Sequence, residues 1–311
     1  MRHLPIVLLL AVLTAGPLSG QENRRQRPRP GYPPDLAGTK VEVYKTVGDV
    51  KLNMYIFTPE GHKATDRRAA IVFFFGGGWQ GGSPKQFHEH SKYLASRGMV
   101  AMAADYRVGS RHGVKAVQCV ADAKSAVRWI RTSAERLGVD PNRIAAGGGS
   151  AGGHLAAATG TVPGLDEPSE DTSVSSVPNA MVLFNPAVVL APVGETRPFA
   201  PQQTAALEER FGIGPTRISP YHHVEKGAPP TILFHGTADT TVPFKTAELF
   251  VEAMTKAGNR AKLVAFEGKG HGFFNYGRDG GTAYVDTVRA MDEFLTELGF
   301  LEGEPTIGEG E

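Results

Sequence analysis

The run RIAAGGGSAGGHLAAA, residues 143–158, decides the fold. Residues 143–148 read as a short, mostly apolar strand, and the Ala-rich stretch after Ser150 reads as a helix. Between them Gly148-Gly149-Ser150-Ala151-Gly152 makes a G-x-S-x-G, a serine on a sharp strand-to-helix turn. Such a turn strains the serine backbone and needs neighbours too small to clash. The N–H of Ala151, at the start of the helix, would then face a developing oxyanion. Gly147, Gly149 and Gly152 also fit G-x-G-x-x-G, a dinucleotide fingerprint. That reading requires an acidic residue about 20 positions on, at the end of a second strand. Glu170 and Asp171 fall near there, but inside the loop-like GLDEPSEDTSVSSVP, and several strands precede the fingerprint. The serine reading is the stronger one, and no cofactor is expected.

The flanking sequence alternates strands with helices. VEVYKTV (41–47) and VKLNMYIF (50–57) surround Gly48-Asp49, a turn dipeptide that predicts a hairpin. AAIVFFF (69–75) is a continuous apolar run, as expected of a strand buried on both faces. Residues 99–105, 143–148, 180–185, 231–236 and 261–267 repeat that pattern. Val120, Ala123, Val127, Ile130, Ala134 and Leu137 step by three and four, which puts them on one helix face. Asp140-Pro141 is expected to end that segment. The pattern predicts one α/β domain over 41–300, a mostly parallel central sheet with helices on both faces and the antiparallel hairpin on one edge. Residues 186–229 interrupt it with a Pro-rich insertion carrying one helical piece near 202–211, which predicts a small lid or binding element.

The ends carry no chemistry. Residues 1–20, MRHLPIVLLLAVLTAGPLSG, have a short polar start, an apolar stretch and a small-residue exit, the layout of a secretory signal peptide. The expectation is therefore a secreted or periplasmic protein. The apolar stretch is short of the ~20 residues a membrane span needs, so no stable membrane insertion is expected after cleavage. Residues 21–40 read as an exposed Pro/Arg-rich linker and 301–311 as an acidic tail.

Composition removes several classes. Lys+Arg 33 against Asp+Glu 32 leaves no basic excess for nucleic acid. A single cysteine, Cys119, excludes an internal disulfide and thiolate-rich metal sites. No H-E-x-x-H occurs, and His88-Glu89-His90 and His222-His223 lack a wider ligand pattern, so no metal is expected.

A serine alone is inert, and a base and an acid must follow. Asp239 stands after the strand 231–235 in TILFHGTADTTVPF, and His271 after the strand 261–266 in LVAFEGKGHGFFN. That is the order Ser, Asp, His of the α/β-hydrolase fold, and of ten histidines His271 alone lies beyond Asp239. Phe75-Gly76-Gly77-Gly78-Trp79 ends a strand, and its glycines let backbone N–H groups approach a substrate oxygen.

FFFGGGWQGGSP, AADYR, DAKSAVRWIRTSAERLGVDPNRIAAGGGSAGGHLAA, HGTADTTVPF and GKGHGFF together resemble the hormone-sensitive-lipase-like esterases, over about residues 40–298. More narrowly they resemble secreted acetyl, acetylxylan and feruloyl esterases. The resemblance implies Ser150 as nucleophile, His271 as base, Asp239 as acid, and Gly77, Gly78 and Ala151 as oxyanion donors. The family usually has His where this chain has Phe75, which questions the rigidity of the glycine loop. Asp105 and His154 match the pattern as structural supports. The implied activity is hydrolysis of short-chain acyl esters, on small molecules or on plant or algal polysaccharides. Trp79, Phe273, Phe274 and Tyr276 are candidate aromatic contacts for a sugar or aromatic acid, Trp79 and Phe273 foremost. A prolyl-oligopeptidase-type peptidase shares the elbow and order, but the length leaves no room for its propeller. A non-catalytic hydrolase-like binding protein would typically lack a triad member.

Overall fold

The computed structural model describes residues 31–199 and 201–308. The expected signal peptide and residues 21–30 of the expected linker lie outside the described residues, as do 309–311. Eight strands form one sheet: β1 (Lys40–Val47), β2 (Val50–Phe57), β3 (Arg68–Phe74), β4 (Val100–Ala104), β5 (Val139–Gly149), β6 (Ala180–Phe184), β7 (Thr231–Gly236) and β8 (Ala261–Phe266). Their order is β1-β2-β4-β3-β5-β6-β7-β8. Only β2 runs antiparallel to its neighbours, so the hairpin sits at one edge of an otherwise parallel sheet.

The continuous apolar runs have the cause anticipated for them. Along β3, Ala70, Val72 and Phe74 face one layer of core, while Ala69, Ile71 and Phe73 face the other. A strand covered on both sides has no polar face to show. Helices Ala116–Thr132, Ala151–Thr161 and Phe244–Lys256 cover the first side, contributing Val120, Val127, Leu155, Phe250 and Met254. Helices His88–Ser96 and Thr282–Glu297 cover the second through Leu94, Val288, Met291 and Leu295. The hairpin edge is tied down by charge as well. Lys45 Nζ and Arg107 Nη2 lie 2.8 and 2.7 Å from the buried carboxylate of Asp122.

One boundary differs from expectation. The helix bearing Val120 and Ile130 ends at Thr132, and Asp140-Pro141 lie inside β5 instead of stopping a helix. Ala134 and Leu137 are still buried, in the turns that follow. Gly138, in the left-handed region at φ 61°, redirects the chain so that Val139 pairs with Arg68 on β3. The insertion holds helix Pro201–Phe211, close to the helical piece expected at 202–211. No helix among the described residues is long and apolar enough to cross a membrane.

Candidate active site

Three loops meet at the carboxyl ends of parallel strands, where open α/β sheets place their ligands. β5 runs into Ser150, whose φ of 55° and ψ of −118° precede helix Ala151–Thr161. The turn closes because its flanks are glycine: a Cβ on Gly152 would collide with the Phe74 carbonyl, and one on Gly148 with the Gly152 carbonyl. Ser150 N–H donates to Phe184 O at 2.9 Å, which fixes the strained residue against β6. This is a backbone outlier over-determined by its surroundings.

β7 delivers Asp239 and β8 delivers His271. His271 Nδ1 lies 2.7 Å from Asp239 Oδ2, and His271 Nε2 lies 3.0 Å from Ser150 Oγ. The N–H groups of Thr241 and Val242 donate to Asp239 Oδ1 at 2.8 and 2.9 Å. Burial opposes ionisation of Asp239, but the hydrogen bonds from His235, His271 and the Val242 N–H outweigh it. They hold the carboxyl well below the usual carboxylate range. An ionised carboxylate only accepts, so His271 carries a proton on Nδ1 and turns Nε2 to the serine hydroxyl. His235, fully buried beneath this pair, has Nε2 2.8 Å from Val242 O and 3.4 Å from Asp239 Oδ2.

The glycine loop is firm in spite of Phe75. The Phe75 ring stacks on Tyr106 at 4.1 Å, and Tyr106 Oη donates to Phe75 O at 2.6 Å. Gly76 N–H donates to Gln86 Oε1 (2.6 Å), Gln86 Nε2 to Asn275 Oδ1 (2.9 Å), and Asn275 Nδ2 to Gly272 O (2.7 Å). That chain joins the glycine loop to the histidine loop. Gly77 (φ 126°), Gly78 (φ 61°) and Trp79 (φ 60°) then turn the backbone toward Ser150. Trp79 Nε1 donates to His154 Nδ1 at 3.1 Å, and His154 Nε2 donates to Ile218 O at 2.8 Å. Burial pushes the His154 ring down to about 4, the Ile218 carbonyl only partly opposing it. A neutral His154 thus bridges glycine loop and insertion, and Asp105 accepts from the Tyr106 N–H at 2.8 Å.

Two cavities open beside Ser150. One, of about 410 Å³, is lined by Gly78, Trp79, Ala151, Phe199, Leu207 and Arg210, so the insertion supplies part of its wall. The other, of about 370 Å³, is lined by Gly77, Asn185, His271, Phe274, Asn275 and Arg278. Gly78 and Ser150 border both. Phe273 is a correction to the sequence reading. It is buried in the core, its ring 4.7 Å from Phe266, and lines neither cavity. Its neighbour Phe274, buried in the same core cluster, is the one that also lines a cavity. Gln86, Asn185, His235, Asn275, Arg210 and Arg278 were not legible as site residues, since none stands in a motif. Cys119 is buried and its thiol is pushed up, chiefly by burial, which leaves it inert. Among the described residues no group of three or more His, Cys, Asp or Glu is placed to hold a metal.

This sheet order, with a strained serine after β5 and an Asp–His pair after β7 and β8, defines an α/β-hydrolase. The BD-FAE family profile matches residues 54–254, and a TAP-like protein profile matches 213–296. The chain belongs to the BD-FAE family. It is 32% identical to Esterase LipC of Mycobacterium tuberculosis over 69% of this chain and 56% of that protein. To the probable carboxylic ester hydrolase LipM of the same organism it is 28% identical, over 72% and 53%. The chain thus spans about half the length of these curated relatives. Among solved structures, the apo form of Thermogutta terrifontis esterase 2 is 58% identical, with a TM-score of 0.84 over 88% of this chain and 100% of that one. The butyrate-bound form of that esterase gives 58% and 0.84, over 89% and 100%.

Proposed function

We propose that the protein is a serine carboxylic ester hydrolase acting on short-chain acyl esters through an acyl-enzyme. The observation that carries this is the hydrogen-bonded chain Ser150–His271–Asp239, opening on two cavities. His271 Nε2 takes the Ser150 proton as Oγ bonds to the ester carbonyl carbon. The N–H groups of Gly77, Gly78 and Ala151 receive the oxyanion, and one such donor typically lowers the barrier by about 2.7–4 kcal/mol. Asp239 holds the imidazole in its tautomer and stabilises the imidazolium. His271 then protonates the leaving oxygen as its bond to the acyl carbon breaks, and water repeats the cycle on the acyl-enzyme.

The cavity that lacks His271 suits the acyl group, because the leaving oxygen must lie next to the proton donor. Trp79, Phe199 and Leu207 wall that cavity with apolar surface, which suits an acyl chain, and its volume of about 410 Å³ bounds the chain's size. The butyrate- and propionate-bound forms of the Thermogutta esterase support a short chain. Acetyl or feruloyl groups on plant or algal polysaccharides are the natural targets of this reading, with Trp79 the aromatic contact. Export, read from the layout of residues 1–20, places the enzyme outside the cytoplasm; a cell-associated, uncleaved N-terminus would contradict that part. The test is acid release from acetylated xylan and feruloylated arabinoxylan, with Ser150→Ala as blank. Ser150-dependent acetate or ferulate supports the polysaccharide reading. Activity confined to small acetyl esters contradicts it and leaves the esterase reading standing.

A further inference from the structure

Among the described residues, the cavity beside His271 has a mostly apolar lining on which Arg278 is the one permanent charge. Arg278 lines it, and no acceptor among the described residues takes its guanidinium. Arg278 is exposed, and its Nη1 lies 3.1 Å from where a Cβ on Gly272, the residue after His271, would stand. Gly272, at φ 78°, has no side chain to keep it away. Its sequence neighbour Asp279 faces Lys269 instead, at 3.9 Å. On the same wall Asn185 is fully buried. Its Oδ1 accepts from Gly272 N–H at 2.9 Å, and its Nδ2 has no hydrogen-bond partner. Among the described residues no Asp or Glu lines either cavity, and Arg210 and Arg278 are the permanent charges that do.

A wall that presents an unpaired guanidinium is complementary to an acceptor-bearing anion. We propose that this cavity is a subsite for a carboxylate carried on the alcohol portion of the ester, such as an acylated hydroxy acid or uronate residue, with Arg278 reading the charge. The inference rests on the esterase reading above and names the substrate class of the same site. The carboxylate belongs to the alcohol because His271, which protonates the leaving oxygen, lines this cavity and not the other.

The test compares 3-acetoxybenzoate with 3-acetoxybenzamide, which share acyl group and shape and differ in charge. The ratio of their kcat/KM values is expected to fall about tenfold from wild type to Arg278→Ala, the scale of one charge-assisted hydrogen bond. Arg278→Lys is expected to retain part of it. In the wild type the ratio should fall as salt is raised, because the guanidinium is solvent-accessible. A ratio unchanged by Arg278→Ala overturns the inference. So does an Arg278 effect that follows a carboxylate on the acyl side, measured with the 4-nitrophenyl monoester of succinate. If the benzamide ester is hydrolysed in a Ser150-dependent way without a charge effect, the subsite alone fails. If neither ester is hydrolysed, the esterase reading fails with it.

Discussion

Gln86 and Asn275, far apart in the chain, share a 2.9 Å hydrogen bond that ties the glycine loop to the histidine loop. Gln86 also accepts from Gly76 N–H, and Asn275 donates to Gly272 O, so each amide is engaged at both ends. The donors proposed for the oxyanion and the base proposed for the proton are thereby held in one frame. Gln86→Ala should cut kcat by roughly tenfold or more with a smaller change in KM, because it removes only one of several cavity-wall residues but breaks the bridge that positions both loops. Steady-state kinetics on 4-nitrophenyl butyrate would check this, and an unchanged kcat would show that the bridge is dispensable.

Asn185 combines strain with connection. Its φ is 35°, its N–H donates to Phe234 O at 2.7 Å, and its Oδ1 holds the residue next to His271. Asparagine tolerates that backbone region and alanine does not. Asn185→Ala should therefore lower both Tm and kcat. Asn185→Gly should recover Tm relative to alanine while kcat remains about tenfold or more below wild type. Equal Tm for the two variants would argue against backbone strain.

His90 contributes to the loss of stability in acid. It is fully buried, with Phe87 at 5.0 Å and Tyr284 at 4.9 Å, and neither ring nitrogen has a hydrogen-bond partner. Burial pushes it down to about 3, far below the ordinary histidine value of ~6.5. The folded protein requires the neutral ring, whereas the unfolded chain takes up a proton below ~6.5. This contribution to stability is whole above about pH 6.5 and is lost steadily as pH falls toward 3. Buried His154 adds the same sign down to about 4. His90→Phe should flatten the fall in Tm between pH 7 and 4.5. A slope equal to that of the wild type would assign the acid sensitivity elsewhere.

The strands, the elbow and the order of Ser150, Asp239 and His271 were legible because each rests on a local signal. Both-face burial writes continuous apolar runs, and a strained turn demands small neighbours. What was hidden depends on residues distant in sequence. Nothing near Gln86 or Asn275 marks them as partners, and nothing around Arg278 shows that the carboxylate beside it faces Lys269. Phe273 and Phe274 look equivalent as letters, and both are core, yet only Phe274 also lines a cavity. The loss of the usual histidine at Phe75 was visible, but its compensation by Tyr106 was not, since that stack crosses from β3 to the segment after β4.

The central claim is that Ser150 forms the acyl-enzyme, and the most direct measurement is turnover of 4-nitrophenyl acetate by wild type and Ser150→Ala, with folding checked by Tm. Phenylmethylsulfonyl fluoride, followed by peptide mass spectrometry, reads the same residue chemically. The account predicts loss of at least about 10³-fold in kcat with Tm preserved, and a sulfonyl adduct on the peptide carrying Ser150. Hydrolysis by a folded Ser150→Ala at a rate near wild type, or an adduct on another residue, would contradict it.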